Sequence, residues 1–208
     1  MRLTLIDELT RSQHPFLTQD DRCLFFGEYT ARGGYAFSDT NDLIHNFKKG
    51  VEKKGRAEWA YKEWAIKRVA ELINSISDTD QLTFVPVPPS KSRQDPLYDE
   101  RLISVLQICQ QTKPVTDFRE MVYQKVSMDA SHTIQDRHSP DDILMNYGFN
   151  QELALNTRNN IVIFDDVLTA GSHYKAMKSL IKHHLPDKNI IGVFVARTAR
   201  NAEWISEF

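Results

Sequence analysis

The stretch from Ile161 to Ser172 restricts the fold more than any other part of the chain. It reads Ile161-Val162-Ile163-Phe164, then Asp165-Asp166, then Val167-Leu168, then the small-residue turn Thr169-Ala170-Gly171-Ser172. Four apolar residues without alternation suit a strand covered on both faces, as in a parallel sheet between helices. A helical pattern follows, with Tyr174, Met177, Ile181 and His184 on one stripe. A strand that passes through a small-residue turn into a helix presents backbone N–H groups at the helix N-terminus, where the helix dipole also favours an anion. Gly171 lets the backbone come close to such an anion, and the hydroxyls of Thr169 and Ser172 add donors. Asp165 and Asp166 fall near the carboxyl end of the strand, the ligand-binding edge of open α/β sheets. Two carboxylates would repel a phosphate. They suit sugar hydroxyls close by, or the support of a hydrated divalent cation.

Taken singly, these residues are also those of an acidic strand end and an ordinary helix cap. Their conjunction carries the information. The stretch lacks the Lys of GxxxxGK[ST] and has no GxGxxG turn, so it is neither a P-loop nor a dinucleotide fingerprint.

The rest of the chain alternates strand and helix patterns, which predicts an α/β fold with a mainly parallel sheet. At 208 residues it has the length of one domain with a small appendage. We place an N-terminal hairpin or hood in residues 1–50 and the α/β domain in residues 51–208. In the first segment Leu24–Tyr29 reads as a strand turned by Gly33-Gly34 onto Tyr35–Phe37, and Ser38–Asp42 offer N-caps for a helix bearing Leu43, Ile44 and Phe47. Between Lys48 and Arg68 basic residues interleave with Trp59, Tyr61 and Trp64. That mixture fits a nucleic-acid patch or the solvated side of a helix whose buried face is Trp59, Ile66, Val69, Ala70, Ile73 and Ile76. The helical period favours the second reading, as does the overall balance of 26 basic against 28 acidic residues.

Leu82–Val87 is a predicted strand closed by Pro88-Pro89, and Ser90-Lys91-Ser92-Arg93 after it is a compact set of hydroxyl and cationic donors. Leu102, Val105, Leu106 and Cys109 predict a helix over 99–111, Met121–Tyr123 a short strand, and Ile190–Ala196 another buried strand. Lys125 to Asp141 is polar and long for a connection inside a compact domain. Cys23 and Cys109 form no metal-binding or redox pattern, which predicts free thiols in a reducing compartment. Acid appears too early after Met1 for a signal peptide, and no run reaches membrane-spanning length, so a cytoplasmic protein with no membrane partner is expected.

Ile163 to Ser172 resembles the phosphoribosyl pyrophosphate (PRPP) motif of type I phosphoribosyltransferases, and Val85-Pro86-Val87-Pro88 is similar to the ComF-like branch of that family. The resemblance spans residues 50–200. It implies a type I phosphoribosyltransferase-like fold, with a mainly parallel central sheet flanked by helices and a small hood. It implies transfer of phosphoribose from PRPP to a nitrogenous acceptor with release of pyrophosphate. An accessory role, competence-type or regulatory, that binds PRPP without turnover is the alternative. By the same resemblance Asp165 and Asp166 hold the ribose hydroxyls, while Thr169, Ala170, Gly171 and Ser172 wrap the 5′-phosphate. Ser90, Lys91 and Arg93 bind pyrophosphate, and Lys125, His132 and Arg137 belong to a flexible lid. The catalytic set is then Asp165, Asp166, Lys91, Arg93, Lys125 and Arg137. Mg²⁺ enters with PRPP and meets Asp165 and Asp166 only indirectly, through PRPP and water. A homodimer is also implied. Three features depart from the family pattern: Ala170 for a common Thr, His173 for a hydroxyl residue, and Gln94–Tyr98 where ComF-like chains carry Arg-Gly-Phe-Asn.

Overall fold

The computed structural model of the protein describes residues 1–128 and 139–199. In chain order its strands are β1 (Thr4–Leu5), β2 (Arg22–Thr30), β3 (Leu82–Pro86), β4 (Asp117–Phe118), β5 (Val122–Gln124), β6 (Tyr147–Phe149), β7 (Asn160–Leu168) and β8 (Asn189–Ala199). The α-helices are α1 (Glu8–Arg11), α2 (Asp39–Phe47), α3 (Trp59–Asn74), α4 (Arg101–Thr112), α5 (Pro140–Asn146) and α6 (Ser172–His184). The described residues form a six-stranded sheet in the order β1-β2-β8-β7-β3-β4 and a separate pair, β5-β6. Every neighbouring pair in the large sheet is parallel except β1 with β2. The architecture is α/β, with a mostly parallel sheet flanked by helices.

The apolar runs explain this arrangement. Ile161, Val162, Ile163 and Phe164 of β7 are all buried, as are Val193 to Ala196 of β8. Strands covered on both faces need helices on both faces. On one side α2 packs against β2 and β8, α4 against β3 and β7, and α3 between those two helices. On the other, α6 packs against β7 and carries α5. Leu102, Val105, Leu106 and Cys109 of α4 are buried, as their spacing predicts, and Cys23 and Cys109 are free thiols. No helix among the described residues is long and apolar enough to cross a membrane.

Two expectations need correction. Tyr35–Phe37 is a single 3₁₀ turn and not a hairpin strand; β2 instead pairs in parallel with β8 from Arg22 to Thr30. The Gly33-Gly34 turn is real, with Gly33 N–H bonded to Thr30 O at 3.2 Å, but Cys23, Phe25 and Phe26 are buried and need the cover of a central sheet position. Residues 1–50 therefore supply two strands of the large sheet and the helix α2. The small unit that lines the sheet's carboxyl edge is β5, α5 and β6. The second correction is Lys62, expected among solvated charges but only 1% exposed. Positions 62, 65, 69 and 73 share one stripe of α3, so Lys62 sits in line with Ala65, Val69 and Ile73.

Phe84 at the middle of β3 is fully buried. Phe84→Ala is expected to lower the unfolding free energy by about 3–5 kcal/mol in urea titration. A loss below about 1 kcal/mol would contradict its central place in the core.

Candidate functional site

β3 leads through α4 to β4 on one side, whereas β7 leads through α6 to β8 on the other. Right-handed crossovers running in opposite directions put α4 and α6 on opposite faces and open a crevice between the carboxyl ends of β3 and β7. The ladder shows where it opens. Val87 N–H donates to Phe164 O at 2.9 Å, and beyond it Asp166 N–H turns to Asp165 Oδ1 at 2.8 Å instead of to a strand. The cleft above has a volume of about 900 Å³. Asp165, Asp166, Thr169, Ala170 and Ser172 line one wall, and Ser90 and Arg93 line another.

The turn after β7 is held in place by the N-terminal segment. Phe16 N–H donates to Ala170 O at 3.0 Å, and the His14 ring donates from Nδ1 to Thr169 O. Gly171 has φ +91°, and a Cβ there would lie 3.1 Å from Leu17 Cδ2. Gly171 is also the N-cap of α6. The helices α1, α2 and α5 are capped by the side chains of Asp7, Ser38 and Ser139, whereas α3, α4 and α6 have no side-chain cap. Ser172 is buried at its first position, and the Ser172 hydroxyl has no hydrogen-bond partner among the described residues. His173 beside it meets Tyr147 OH through Nδ1 at 2.7 Å, tying α6 to β6.

Successive side chains on a strand point to opposite faces, so adjacent acids cannot share one. Asp166 turns toward the α2–α4 layer. Its Oδ1 is 3.0 Å from Lys48 Nζ, and its Oδ2 accepts from Arg101 Nε at 3.1 Å and Nη2 at 2.5 Å. Arg101 Nη1 donates to Asp99 Oδ2 at 2.7 Å, and Lys62 Nζ reaches the same oxygen at 2.7 Å. Burial works against the Asp166 anion, but Lys48 and Arg101 outweigh it and hold this carboxyl well below the usual range. Asp165 faces the other way. It is half-buried, and its second oxygen has no partner among the described residues. Burial and then the neighbouring Asp166 charge push the Asp165 carboxyl upward. Burial, with Asp165 nearby, also pushes the Tyr147 phenol upward.

Of the expected pyrophosphate residues, Ser90 and Arg93 line the cleft and Lys91 does not. Arg93 is already ion-paired with Glu120. Lys125 also stands outside the cleft lining, where its Nζ donates to Met145 O at 3.1 Å. His132 and Arg137 lie outside the described residues. Lys48, Asp99, Arg101, Glu120 and Tyr147 belong to this region but have no local sequence signature. Arg101 stands 65 positions from Asp166, and no short-range period announces such a pair. Among the described residues no group of three or more His, Cys, Asp or Glu side chains gathers to hold a metal ion. One open carboxylate oxygen on Asp165 fits a Mg²⁺ bound mainly through phosphates and water. No protein-family model matches the chain, and a search of curated proteins finds no match.

The two acids should respond oppositely to pH. Asp166, depressed in the folded state, contributes stability that is present above the unfolded carboxylate value of about 3.9 and is lost as pH falls through its lower folded value. Asp165, raised in the folded state, lowers stability progressively as pH rises from about 3.9 through its folded value. Asp165→Asn should therefore gain stability relative to wild type between pH 4 and neutrality, by about 1.4 kcal/mol per unit by which the folded value is raised. Urea titrations across that range measure it; a difference independent of pH would contradict the assignment.

Proposed function

We propose that this protein is a PRPP-dependent phosphoribosyltransferase that moves phosphoribose to a nitrogenous acceptor and releases pyrophosphate. The observation that carries the reading is the meeting, in one cleft at the switch point, of an α6 N-terminus without a side-chain cap and the half-open carboxylate Asp165. The loop bearing Ser90 and Arg93 completes the other wall. A phosphate suits the first element, a ribose diol the second and a pyrophosphate the third. This division follows the resemblance of residues 163–172 to the PRPP motif.

In this reading the amides and hydroxyls of Thr169 to Ser172 hold the 5′-phosphate. Asp165 accepts from ribose hydroxyls and places negative charge near C1. The bond from C1 to the pyrophosphate oxygen breaks with its electron pair leaving on pyrophosphate, and the acceptor nitrogen forms the new bond to C1 and loses its proton. The intervening state resembles an oxocarbenium ion, so the protein contributes positioning and charge stabilisation more than covalent chemistry. Arg93 exchanges Glu120 for pyrophosphate. When bound, Mg²⁺ neutralises the leaving group, and Asp165 supports it through water.

A second reading, PRPP binding without turnover, is favoured by one observation. Arg93 is committed to Glu120, and neither Lys91 nor Lys125 lines the cleft. Calorimetric titration with PRPP, with and without Mg²⁺, tests the ligand common to both. Saturable binding that depends on Mg²⁺ and disappears in Asp165→Asn/Asp166→Asn is expected. No binding by folded wild type would sink both readings. Pyrophosphate release during an acceptor screen then separates the enzyme from the sensor.

A further inference from the structure

Asp166 does not stand alone in the cleft wall. It belongs to a chain of alternating charges in the α2–α4 layer: Lys62, Asp99, Arg101, Asp166 and Lys48. Lys62 is on α3, Arg101 is the first residue of α4, and Lys48 closes α2. Lys62 is almost wholly buried, and its Nζ also donates to Lys49 O at 2.5 Å, next to Lys48. The Arg101 guanidinium faces two carboxylates at once, through Nε and Nη2 to Asp166 and through Nη1 to Asp99. The Phe47 ring lies 5.8 Å from its Cζ. A planar fork held on two edges and one face has little freedom.

We propose that Arg101 is the positioning residue of this site, fixing Asp166 in the cleft wall while Asp165 keeps an oxygen open to the ligand, and that Asp99 and Lys62 hold Arg101 in that pose. The inference rests on the proposed PRPP site for its effect on binding, but the geometry of the fork is a property of the free protein. Lys62 acts at a distance. Lys62 does not line the cleft, and Asp99, which does, has both carboxylate oxygens taken, Oδ1 by Arg101 N–H and Oδ2 by Lys62 and Arg101 Nη1. With Asp99 so occupied, the influence of Lys62 on a ligand passes through Asp99 and Arg101. A lysine at position 101 carries the charge but cannot span both carboxylates.

Three variants test this. Lys62→Met/Asp99→Asn removes the buried pair together, which spares the fold an uncompensated charge. Arg101→Lys keeps the charge and loses the fork. Arg101→Met/Asp166→Asn removes the anchored pair. In calorimetry with PRPP and Mg²⁺, the first two should bind about tenfold or more weakly than wild type, the range expected when groups that orient a ligand-binding residue are removed. Their melting transitions should stay cooperative. Wild-type affinity in Lys62→Met/Asp99→Asn, with binding intact in the parent, overturns the inference and leaves the PRPP reading standing.

A second arm needs no ligand. In ¹⁵N-labelled free protein the Arg101 Nε–H, assigned by its loss in Arg101→Met/Asp166→Asn, should exchange with solvent at least tenfold more slowly than in Lys62→Met/Asp99→Asn. Exchange equally fast in both overturns the inference whether or not PRPP binds. Slow exchange in a wild type that ignores PRPP upholds the fork and sinks the PRPP reading alone.

Discussion

A strand has a side-chain period of two, and at the end of β7 that period separates a pair of adjacent acids. Asp166 must enter the α2–α4 layer, where a lone buried carboxylate would be costly, so cations have to meet it there. Lys48 and Arg101 do so from two helices, which couples the carboxyl ends of β3 and β7 to both α2 and α4. Asp165 must enter the opposite layer, toward β6 and the start of α6. The asymmetry of the site follows from the strand itself. Ion pairs of this kind are weak grounds for overall stability, because desolvation offsets most of their attraction. Their effect here is geometric. Each one limits where a carboxylate can stand.

The turn that follows β7 depends on a distant part of the chain. His14 and Phe16 bond to the carbonyls of Thr169 and Ala170, and Leu17 covers Gly171. Two carbonyls are tied down on one side, and Thr169, Ala170 and Ser172 line the cleft on the other. Asp21, whose carboxylate is wholly enclosed, joins Lys175 and Lys178 of α6 and keeps the N-terminal segment docked on that helix. Residues 14–17 thus form the back wall of the proposed phosphate cradle.

The central strands were legible because runs such as Ile161–Phe164 and Leu82–Val85 tolerate burial on both faces and little else. The helices α4 and α6 were legible from their stripes, and the acid pair with its turn from the abrupt change in chemistry after Phe164. Other features depend on tertiary partners. Nothing near Lys62 tells that Asp99 will receive its ammonium, so a lysine in a basic segment reads as solvated. The strand β2 was recognised, but its parallel partner β8 begins more than 150 residues later, and a nearby glycine pair offered a local alternative. The strands β5 and β6 have three residues each, too few to show a period, and Tyr147 acquires its meaning only beside His173. Local chemistry marked the front of the site. The groups that hold it from behind came from elsewhere in the sequence.

Backbone amide NMR during titration with PRPP and Mg²⁺ tests most directly whether the turn between β7 and α6 is a phosphate cradle in the switch-point cleft. Saturable shifts centred on Gly171, Ser172 and Tyr174, with smaller ones at Ser90 and Arg93, are predicted. Shifts confined to the basic residues 48–68, or none at all in a folded protein, would contradict it.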